Sequence, residues 1–311
     1  MKILGLCHCL CLLLTPCLLW AQQTADSEFT PPNNRPAYAQ ESGPLVYIDD
    51  GHGNFHTADF RFEPFVKLLE RDGYRIASGS SSFTRHLLGE INILVISNAL
   101  HQSNLEDWIL PTPSAFTMTE VQLVHQWVKQ GGRLLLIADH MPFPGASAAL
   151  ATAFGFTFCN GFAMAEPGQW PPALFSLNNG TLKDHVIVND QSHGDPVQSV
   201  ATFTGQGFQI PENAENLLEF DERFYSLMPD TAWQFNAHTP KINLNGWSQG
   251  AVMRVGKGRV AIFGEAAMFT AQVAGPTKTK VGFNAPEAPH NAQFVLNVMH
   301  WLDGKILTPK Q

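Results

Sequence analysis

Short apolar runs alternate with amphipathic stretches along most of this chain, from residue 45 onward. Three runs are apolar at nearly every position: residues 45–48, 91–97 and 134–138. Strands that are covered on both faces of a sheet have this composition. The stretch at residues 62–69 repeats its apolar residues with helical spacing. The alternation predicts strand–helix–strand units, and therefore an α/β domain with a mainly parallel sheet.

Three further helices are indicated by their N-terminal signals. Thr117 and Glu120 have the spacing of a capping box, ahead of a buried stripe that ends at a glycine pair. Ser147 is predicted to cap a short helix over residues 148–154, and Asn291 to cap a terminal helix that ends at Gly304. These assignments place a helix after each of the later strands.

The sequence patterns of the remaining strands are weaker. Residues 74–77 predict a second strand, and residues 251–255 and 260–263 predict a hairpin whose second arm is the final core strand. Residues 156–240 are rich in Gly, Pro, Asn and aromatic residues with weak periodicity. We expect long loops and short strands there, elaborating the same domain.

The N-terminus has the pattern of a secretory signal peptide over residues 1–21: one basic residue, an apolar run, and a small residue before a polar segment. A membrane anchor is the alternative, because about 18 apolar residues can cross a bilayer, and Cys17 leaves a lipoprotein open. Residues 22–43 predict a flexible leader. One domain over residues 44–304 and a tail over residues 305–311 complete the chain.

Charge and cysteine content exclude several classes of protein. The formal net charge is −8 and no Lys/Arg cluster is visible, so a nucleic-acid partner is not expected. No apolar run beyond the signal segment is long enough to span a membrane. Four of the five cysteines lie in the signal segment, so the mature chain keeps Cys159 and forms no internal disulfide. The aromatic neighbours of Cys159 predict a buried structural residue rather than a nucleophile.

Titratable residues follow four of the predicted strands. Six of them form the candidate catalytic set: Asp50, His52, His56, Asp139, His140 and Glu265. Parallel strands place their carboxyl ends at one edge of a sheet, so these residues are expected to meet in one crevice. Glu265 belongs there only if the final strand runs parallel to the others. A carboxylate in that position would raise the pKa of the histidines beside it.

The chemistry available to these side chains is acid–base catalysis or the binding of a divalent metal. A structural role in turns and helix caps is the alternative for each of them. Residues 246–250 match the G-x-S-x-G nucleophile elbow, but that elbow requires a helix after the serine, and a β-like segment follows Ser248. A turn at the edge of a hairpin is the expected structure there.

Four segments carry a resemblance to a known family: residues 47–56 (YIDDGHGNFH), 131–140 (GGRLLLIADH), 256–264 (GKGRVAIFG) and 291–302 (NAQFVLNVMHWL). Together they resemble an uncharacterised domain family of the class I glutamine-amidotransferase-like superfamily, near the trehalose-utilisation-like proteins. The resemblance implies a flavodoxin-like three-layer αβα sandwich. The superfamily's amidotransferases carry a cysteine nucleophile where this chain has Asp139 and His140. The resemblance therefore implies that this protein is not a glutamine amidotransferase.

Two functions of different classes fit these observations. The first is an exported hydrolase, periplasmic or secreted, that acts on carbohydrate or cell-envelope material. The second is a non-catalytic module that binds a small molecule or carbohydrate in the same crevice. Turnover of the bound ligand distinguishes the first from the second.

Overall fold

A computed structural model describes residues 23–165 and 173–307, so the predicted signal peptide lies outside the described residues. The strands are β1 (Gln23–Ala25), β2 (Leu45–Asp49), β3 (Arg75–Gly79), β4 (Ile93–Ser97), β5 (Arg133–Ile137), β6 (Thr157–Phe158), β7 (Phe162–Ala165), β8 (Ala173–Ser176), β9 (Ser199–Thr202), β10 (Phe208–Gln209), β11 (Ala214–Glu219), β12 (Phe224–Leu227), β13 (Lys241–Asn243), β14 (Ser248–Val255), β15 (Gly258–Phe263), β16 (Ala271–Ala274) and β17 (Thr279–Gly282). The helices are α1 (Glu63–Arg71), α2 (Arg85–Glu90), α3 (Met118–Gln130), α4 (Phe143–Ala153), α5 (Val186–Asn189) and α6 (Asn291–Asp303).

A mixed sheet of nine strands forms the centre of this α/β protein. Five neighbouring strands run parallel in the order β3-β2-β4-β5-β15. Beyond β15 the sheet turns antiparallel, with β14 paired to β15 and to β11, and β10 and β6 at the far side. The predicted hairpin, β14 and β15, thus joins the parallel half of the sheet to the antiparallel half. The final core strand, β15, runs parallel to β5. This orientation is the condition under which Glu265 was expected at the shared edge of the sheet.

Both faces of the parallel half are buried, which explains its uninterrupted apolar strands. In β4, Ile93 and Val95 belong to the core on one face, and Leu94 and Ile96 to the core on the other. Helices α1 and α6 pack on the first face. Helices α3 and α4 pack on the second. Every side chain of such a strand needs an apolar neighbour, because the pleat alternates its direction.

The capping box of α3 is confirmed: the Thr117 hydroxyl accepts from the Glu120 backbone N–H, and the Glu120 carboxylate accepts from that of Thr117. The prediction for α4 was wrong by several residues. This helix begins at Phe143, and Ser147 lies buried inside it. Pro144 is in the first turn, where its missing N–H is tolerated, so it starts the helix instead of preventing it.

The start of α6 also differs from the prediction. His290 occupies the N-cap position without a capping hydrogen bond from its side chain, and Asn291 is the first helical residue. The Asn291 side chain instead bonds both backbone groups of Ala201 in β9, at 2.9 Å and 2.7 Å. A long-range partner therefore replaced the local cap that the sequence suggested.

The region from residue 156 to 240 contains short strands, as expected. Strands β13, β12 and β7 form a three-stranded sheet, and β8 and β9 form a pair. Ala163 and Phe224 of the first small sheet, and Phe175 and Val200 of the second, belong to the core on the α1 and α6 face of the central sheet.

The segment predicted to be a flexible leader packs on the domain. Strand β1 pairs antiparallel with β16, and β16 with β17. Farther along, the Asp72 carboxylate accepts from the Asn33 side chain and from the Ala37 backbone N–H, at 2.8 Å and 3.0 Å. Phe29 and Tyr38 also pack against the core on the α1 and α6 face. The composition did not predict this because a few hydrogen bonds and two aromatic side chains hold the segment.

Candidate functional site

The order of the parallel strands reverses beside β2. The chain passes from β2 outward to β3 and then returns to β4 on the other side of β2. The loops that follow β2 and β4 therefore diverge from a common edge. In open α/β sheets, such a reversal leaves a crevice at the carboxyl ends of the two strands.

A cleft of about 430 Å³ lies at this reversal. Its walls come from the loop after β2, the loop after β4, and the residues that precede α3: Gly51, His52, Gly53, Leu100, His101, Gln102, Leu105, Ser114, Ala115, Phe116 and Thr117. This volume is within the range of pockets that hold small ligands. Its lining, within the described part of the chain, contains no Lys, Arg, Asp or Glu.

Gly53 lets two of the walls approach each other. Its φ of +61° is in the left-handed region. A Cβ atom at this position would lie 2.7 Å from the Leu100 carbonyl oxygen and 2.8 Å from Leu105. The close approach of the two loops thus requires glycine here.

His52 joins two walls of the cleft. Its Nδ1 lies 2.9 Å from both carboxylate oxygens of Asp49, and its Nε2 lies 3.1 Å from Oε1 of Glu120, at the start of α3. The ring is held between Phe83 and Phe116, with centroids at 4.5 Å and 4.8 Å. A neutral imidazole carries one N–H, so only the imidazolium donates to both carboxylates.

The pKa of His52 agrees with this geometry. Burial is the largest single influence and acts to lower it. The hydrogen bonds and charges of Asp49 and Glu120 outweigh burial, and the pKa of His52 lies above its ordinary value. His52 is therefore a bound cation with both ring nitrogens in use.

A second group of predicted residues lies along the same sheet edge, linked through Asn98. The Asn98 amide oxygen accepts from the Asp139 backbone N–H at 2.8 Å, and its amide nitrogen donates to Nδ1 of His56 at 3.1 Å. Asn98 has a φ of +51°, a conformation that asparagine tolerates better than most residues. His56 packs on Phe62, on the α1 side of the sheet, whereas His52 packs on the α3 side.

His56 is neutral and fully engaged. Nδ1 accepts from the Asn98 amide nitrogen, so Nε2 of the neutral ring carries the proton. Nε2 lies 3.1 Å from the amide nitrogen of Gln272, and an N–H there requires this amide to be turned so that its carbonyl oxygen, which has no other partner in the described residues, is the acceptor. Burial, then the positive charge of Arg61 and the presence of a second titratable ring at His140, hold the pKa of His56 well below its ordinary value.

Glu265 and Asp139 are neighbours. Glu265 is fully buried and accepts from the backbone N–H groups of Ala267 and Met268, at 2.8 Å and 2.7 Å. Asp139 accepts from the N–H groups of His140 and Ala266. Burial first, and then the charge of Asp139, raise the pKa of Glu265 well above its ordinary value. The expected increase in histidine pKa beside Glu265 is not found, since the pKa of both His56 and His140 is lowered.

His140 differs from the other candidates. Its Nδ1 donates to the Met141 carbonyl oxygen at 2.8 Å, so Nε2 is the acceptor of the neutral ring. No protein partner for Nε2 occurs among the described residues, yet this atom is not buried. Burial lowers the pKa of His140. The half-buried ring stacks on Phe162 at 4.6 Å and meets the edge of Trp233 at 4.7 Å.

Asp50, the sixth candidate, is half-buried and accepts from the Ala58 backbone N–H at 3.2 Å. Burial raises its pKa. The six predicted residues thus lie along one edge of the sheet, and of them His52 lines the cleft. His56, Asp139 and His140 are linked by hydrogen bonds through Asn98, while Glu265 interacts with Asp139 through charge.

Sequence reasoning missed the partner of His52 across the cleft. Glu120 was assigned to the capping box, which uses its Oε2, while its Oε1 accepts from His52 and from the Phe83 backbone N–H. The only sequence signal was the placement of this capping box directly after the strand-end loops. Trp108 and Trp233, which surround His140, carried no signal because they lie in aperiodic segments.

Two weaker candidates have structural roles. Ser248 is buried at the first position of β14, and its hydroxyl donates to the Gly250 carbonyl oxygen at 3.0 Å. A strand follows it, so the nucleophile elbow is absent at this position. Cys159 is buried, with its Sγ 3.3 Å from the Met228 sulfur, and burial raises its pKa.

The described residues contain neither a ready-made metal cluster nor a membrane-spanning helix. Across residues 23–165 and 173–307, no three His, Cys, Asp or Glu side chains are arranged to hold a metal ion. The candidate carboxylates instead accept backbone N–H groups or bind His52. No helix in the same residues is long and apolar enough to cross a membrane.

The fold and the strand-end edge define a mixed α/β protein with a cleft at the reversal of its strand order. No protein-family profile matches the sequence, and no curated protein matches it significantly. The structure is similar to the N-terminal domain of mmIFT52, with a TM-score of 0.60 and 13% identity over 86% of this chain and 99% of that domain. This similarity shows a shared fold.

Two further solved structures have lower similarity. A putative ThuA-like protein from Bacteroides uniformis has a TM-score of 0.46 and 12% identity, over 85% of this chain and 93% of its own. A putative GMP synthase component from Thermoplasma acidophilum has a TM-score of 0.44 and 9% identity, over 85% of this chain and 95% of its own. Both similarities are too low to indicate a function.

Proposed function

We propose that this protein is an exported module that binds a small, neutral, polar ligand, of the carbohydrate class, in the cleft between the β2 and β4 loops. The observation that carries the proposal is the position of the cleft at the reversal of the strand order. Export follows from the signal-peptide pattern of residues 1–21 and makes the protein periplasmic or secreted.

The fold behind this proposal is a flavodoxin-like sandwich of the glutamine-amidotransferase-like superfamily. Numbered along the chain, the parallel strands have the order 2-1-3-4-5, which is the flavodoxin-like order. Helices on both faces of the sheet and the four motif segments support the same assignment. Asp139 and His140 at the position of the nucleophile leave the chain without the amidotransferase thiolate.

The ligand class follows from the lining of the cleft. Leu100, Leu105 and Phe116 provide apolar surface, and Gln102 and His101 provide polar groups. Both N–H groups of His52 are bound to carboxylates of the protein, those of Asp49 and Glu120, so they are not available to a charged ligand. A neutral ligand with both apolar and hydroxyl surface matches this lining better than an anion or a cation.

Binding is favoured over hydrolysis because the predicted catalytic groups are already bonded within the protein. Both ring nitrogens of His52 contact carboxylates, and both carboxylate oxygens of Glu265 accept backbone N–H groups. A general base must reach the proton that it removes. Of the six predicted catalytic residues, His140 is the one histidine with a free acceptor atom.

The test is calorimetric titration with glucose, galactose, mannose, N-acetylglucosamine, maltose and cellobiose. An Ala115→Trp variant fills the cleft and should abolish binding, while Ala237→Trp, on an exposed loop, should not. A matched pair, Gln102→Ala in the cleft and Gln130→Ala at the exposed end of α3, tests one polar contact. If Ala115→Trp and the natural protein bind the sugars with equal affinity, the cleft is not the binding site.

Proton NMR of each sugar after prolonged incubation separates the two functional classes. An unchanged sugar supports a binding module. Appearance of a cleaved disaccharide that depends on His140 would instead establish the hydrolase.

A further inference from the structure

His140 presents an unused hydrogen-bond acceptor at the same edge of the sheet as the cleft. Its Nδ1–H is fixed on the Met141 carbonyl oxygen, which selects one tautomer and leaves the lone pair of Nε2 free. Nε2 has no partner in the described chain and retains contact with solvent. His56, the other candidate histidine of this group, has no such atom, because each of its ring nitrogens contacts a side-chain amide.

Aromatic rings surround this acceptor on several sides. Phe162 stacks on the His140 ring with an interplanar angle of 14°, and Trp233 meets it at 72°. Trp108 lies 5.9 Å away, measured between ring centroids. Trp108 is half-buried, and its indole N–H has no hydrogen-bond partner in the described residues, although it is not a buried atom. A hydrogen-bond donor, the indole N–H of Trp108, and an acceptor, Nε2 of His140, therefore both lie among these aromatic rings.

The backbone around these rings is unusual. Trp233 has a φ of +65°, which is a genuine outlier for a bulky side chain. It follows Ala232, whose N–H donates to the Trp108 carbonyl oxygen at 2.8 Å. The Leu110 N–H also donates to the Asp230 carbonyl oxygen, at 2.9 Å, so two backbone hydrogen bonds join the two tryptophan loops. Strained residues such as Trp233 concentrate at ligand sites.

We propose that Trp108, His140 and Trp233 form a second sugar subsite, in which Nε2 of His140 accepts a hydrogen bond from a ligand hydroxyl. A sugar ring offers apolar C–H faces to the indole rings and hydroxyl groups to the free acceptor and donor. Sites that combine aromatic walls with a few placed polar groups recognise such amphipathic ligands.

This subsite adjoins the proposed cleft, and the inference rests on the proposed binding function. Leu100 lines the cleft and also packs in one apolar cluster with Phe143 and Trp108. Leu105, on the loop that carries Trp108, forms another part of the cleft wall. A ligand of two sugar units would occupy the cleft with one unit and the His140 subsite with the other.

Titration of maltose and cellobiose into two variants tests the acceptor. His140→Phe keeps a ring between Phe162 and Trp233 but removes Nε2, and His140→Gln keeps an acceptor but loses the ring. We expect His140→Phe to weaken disaccharide binding about tenfold, the scale of one lost hydrogen bond to a desolvated partner, and His140→Gln to recover part of it. Near-ultraviolet circular dichroism verifies that each variant is folded.

Monodeoxy derivatives of the tighter-binding disaccharide provide a readout that misfolding cannot imitate. For one hydroxyl, its removal should weaken binding to the natural protein about tenfold but leave binding to His140→Phe unchanged, because the bond is already lost. If the loss of affinity from removing a hydroxyl and the loss from His140→Phe are additive for every hydroxyl, the proposal is overturned. Full affinity in His140→Phe would also overturn it.

The outcomes also separate this inference from the proposed function. If Ala115→Trp abolishes binding while His140→Phe retains it, the cleft stands and the second subsite is refuted. If the natural protein binds none of the sugars, both are refuted. Loss of disaccharide binding with retained monosaccharide binding in Trp108→Ala supports the subsite.

Discussion

Replacement of His52 by phenylalanine should destabilise the protein more than any other single change at the sheet edge. The side chains of His52, Asp49 and Glu120 are 7%, 0% and 8% exposed. Phenylalanine retains a ring between Phe83 and Phe116 but leaves the Asp49 carboxylate buried without its cation. Removal of one partner of a buried pair costs roughly 3–5 kcal/mol. We expect a loss of that size in the free energy of unfolding near pH 6.

The loss should depend on pH, with a sign fixed by the raised pKa of His52. A group that holds its proton more tightly when folded stabilises the protein fully below its unfolded pKa, about 6.5 for histidine. That stabilisation disappears as the pH rises through the folded pKa. The difference between the natural protein and His52→Phe should therefore be largest at about pH 6 and smaller at about pH 9.

Urea unfolding, followed by circular dichroism across this pH range, measures both quantities. His86→Phe is a matched control, because His86 pairs with Glu90 on the surface with its side chain 85% exposed. That variant should stay within about 0.5 kcal/mol of the natural protein. The double variant Asp49→Asn, His52→Phe should recover part of the loss. A cost below about 1 kcal/mol, or one that does not change with pH, would refute the assignment of His52 as a buried cation.

Three further outcomes are expected. Asn98→Ala should lower the free energy of unfolding by more than Asn98→Gly does, by about 1–2 kcal/mol in thermal or urea unfolding, because alanine also disfavours the φ of +51°; equal costs would contradict this. Cys159→Ala should cost about 1 kcal/mol and leave sugar titrations unchanged, since the thiol is buried away from the cleft; lost binding in a folded variant would place Cys159 in the site. Mass spectrometry of exported protein should find a mature N-terminus at or near Gln22, and retention of Met1 would rule out signal cleavage.

The parallel half of the fold was predictable because its signals are local. Apolar runs marked β2, β4 and β5, and the capping box marked α3. The common edge of the strand-end loops then followed from the geometry of parallel sheets. Helix α2 was missed because its six residues bury only Leu88, too few for a period.

The interactions within the site were not predictable from these signals. Glu120 reaches His52 from 68 positions away, and which of its two oxygens it uses depends on how α3 packs. The lowered pKa of His140 arises from burial beside Phe162 and Trp233, which are remote in sequence. The packed leader was missed because its partner, Asp72, receives hydrogen bonds that composition does not reveal.

The pairing of β15 with β5 has a consequence for the order of folding. About 120 residues separate these neighbours, so β5 keeps an open edge until β15 has been synthesised. Helix α6, which covers one face of the sheet, follows still later. Contacts so distant in sequence form slowly, and incomplete chains expose apolar strands. We therefore expect a nascent chain of this protein to stay unfolded until almost all of the domain is made, which is the state that the proposed export through a membrane needs.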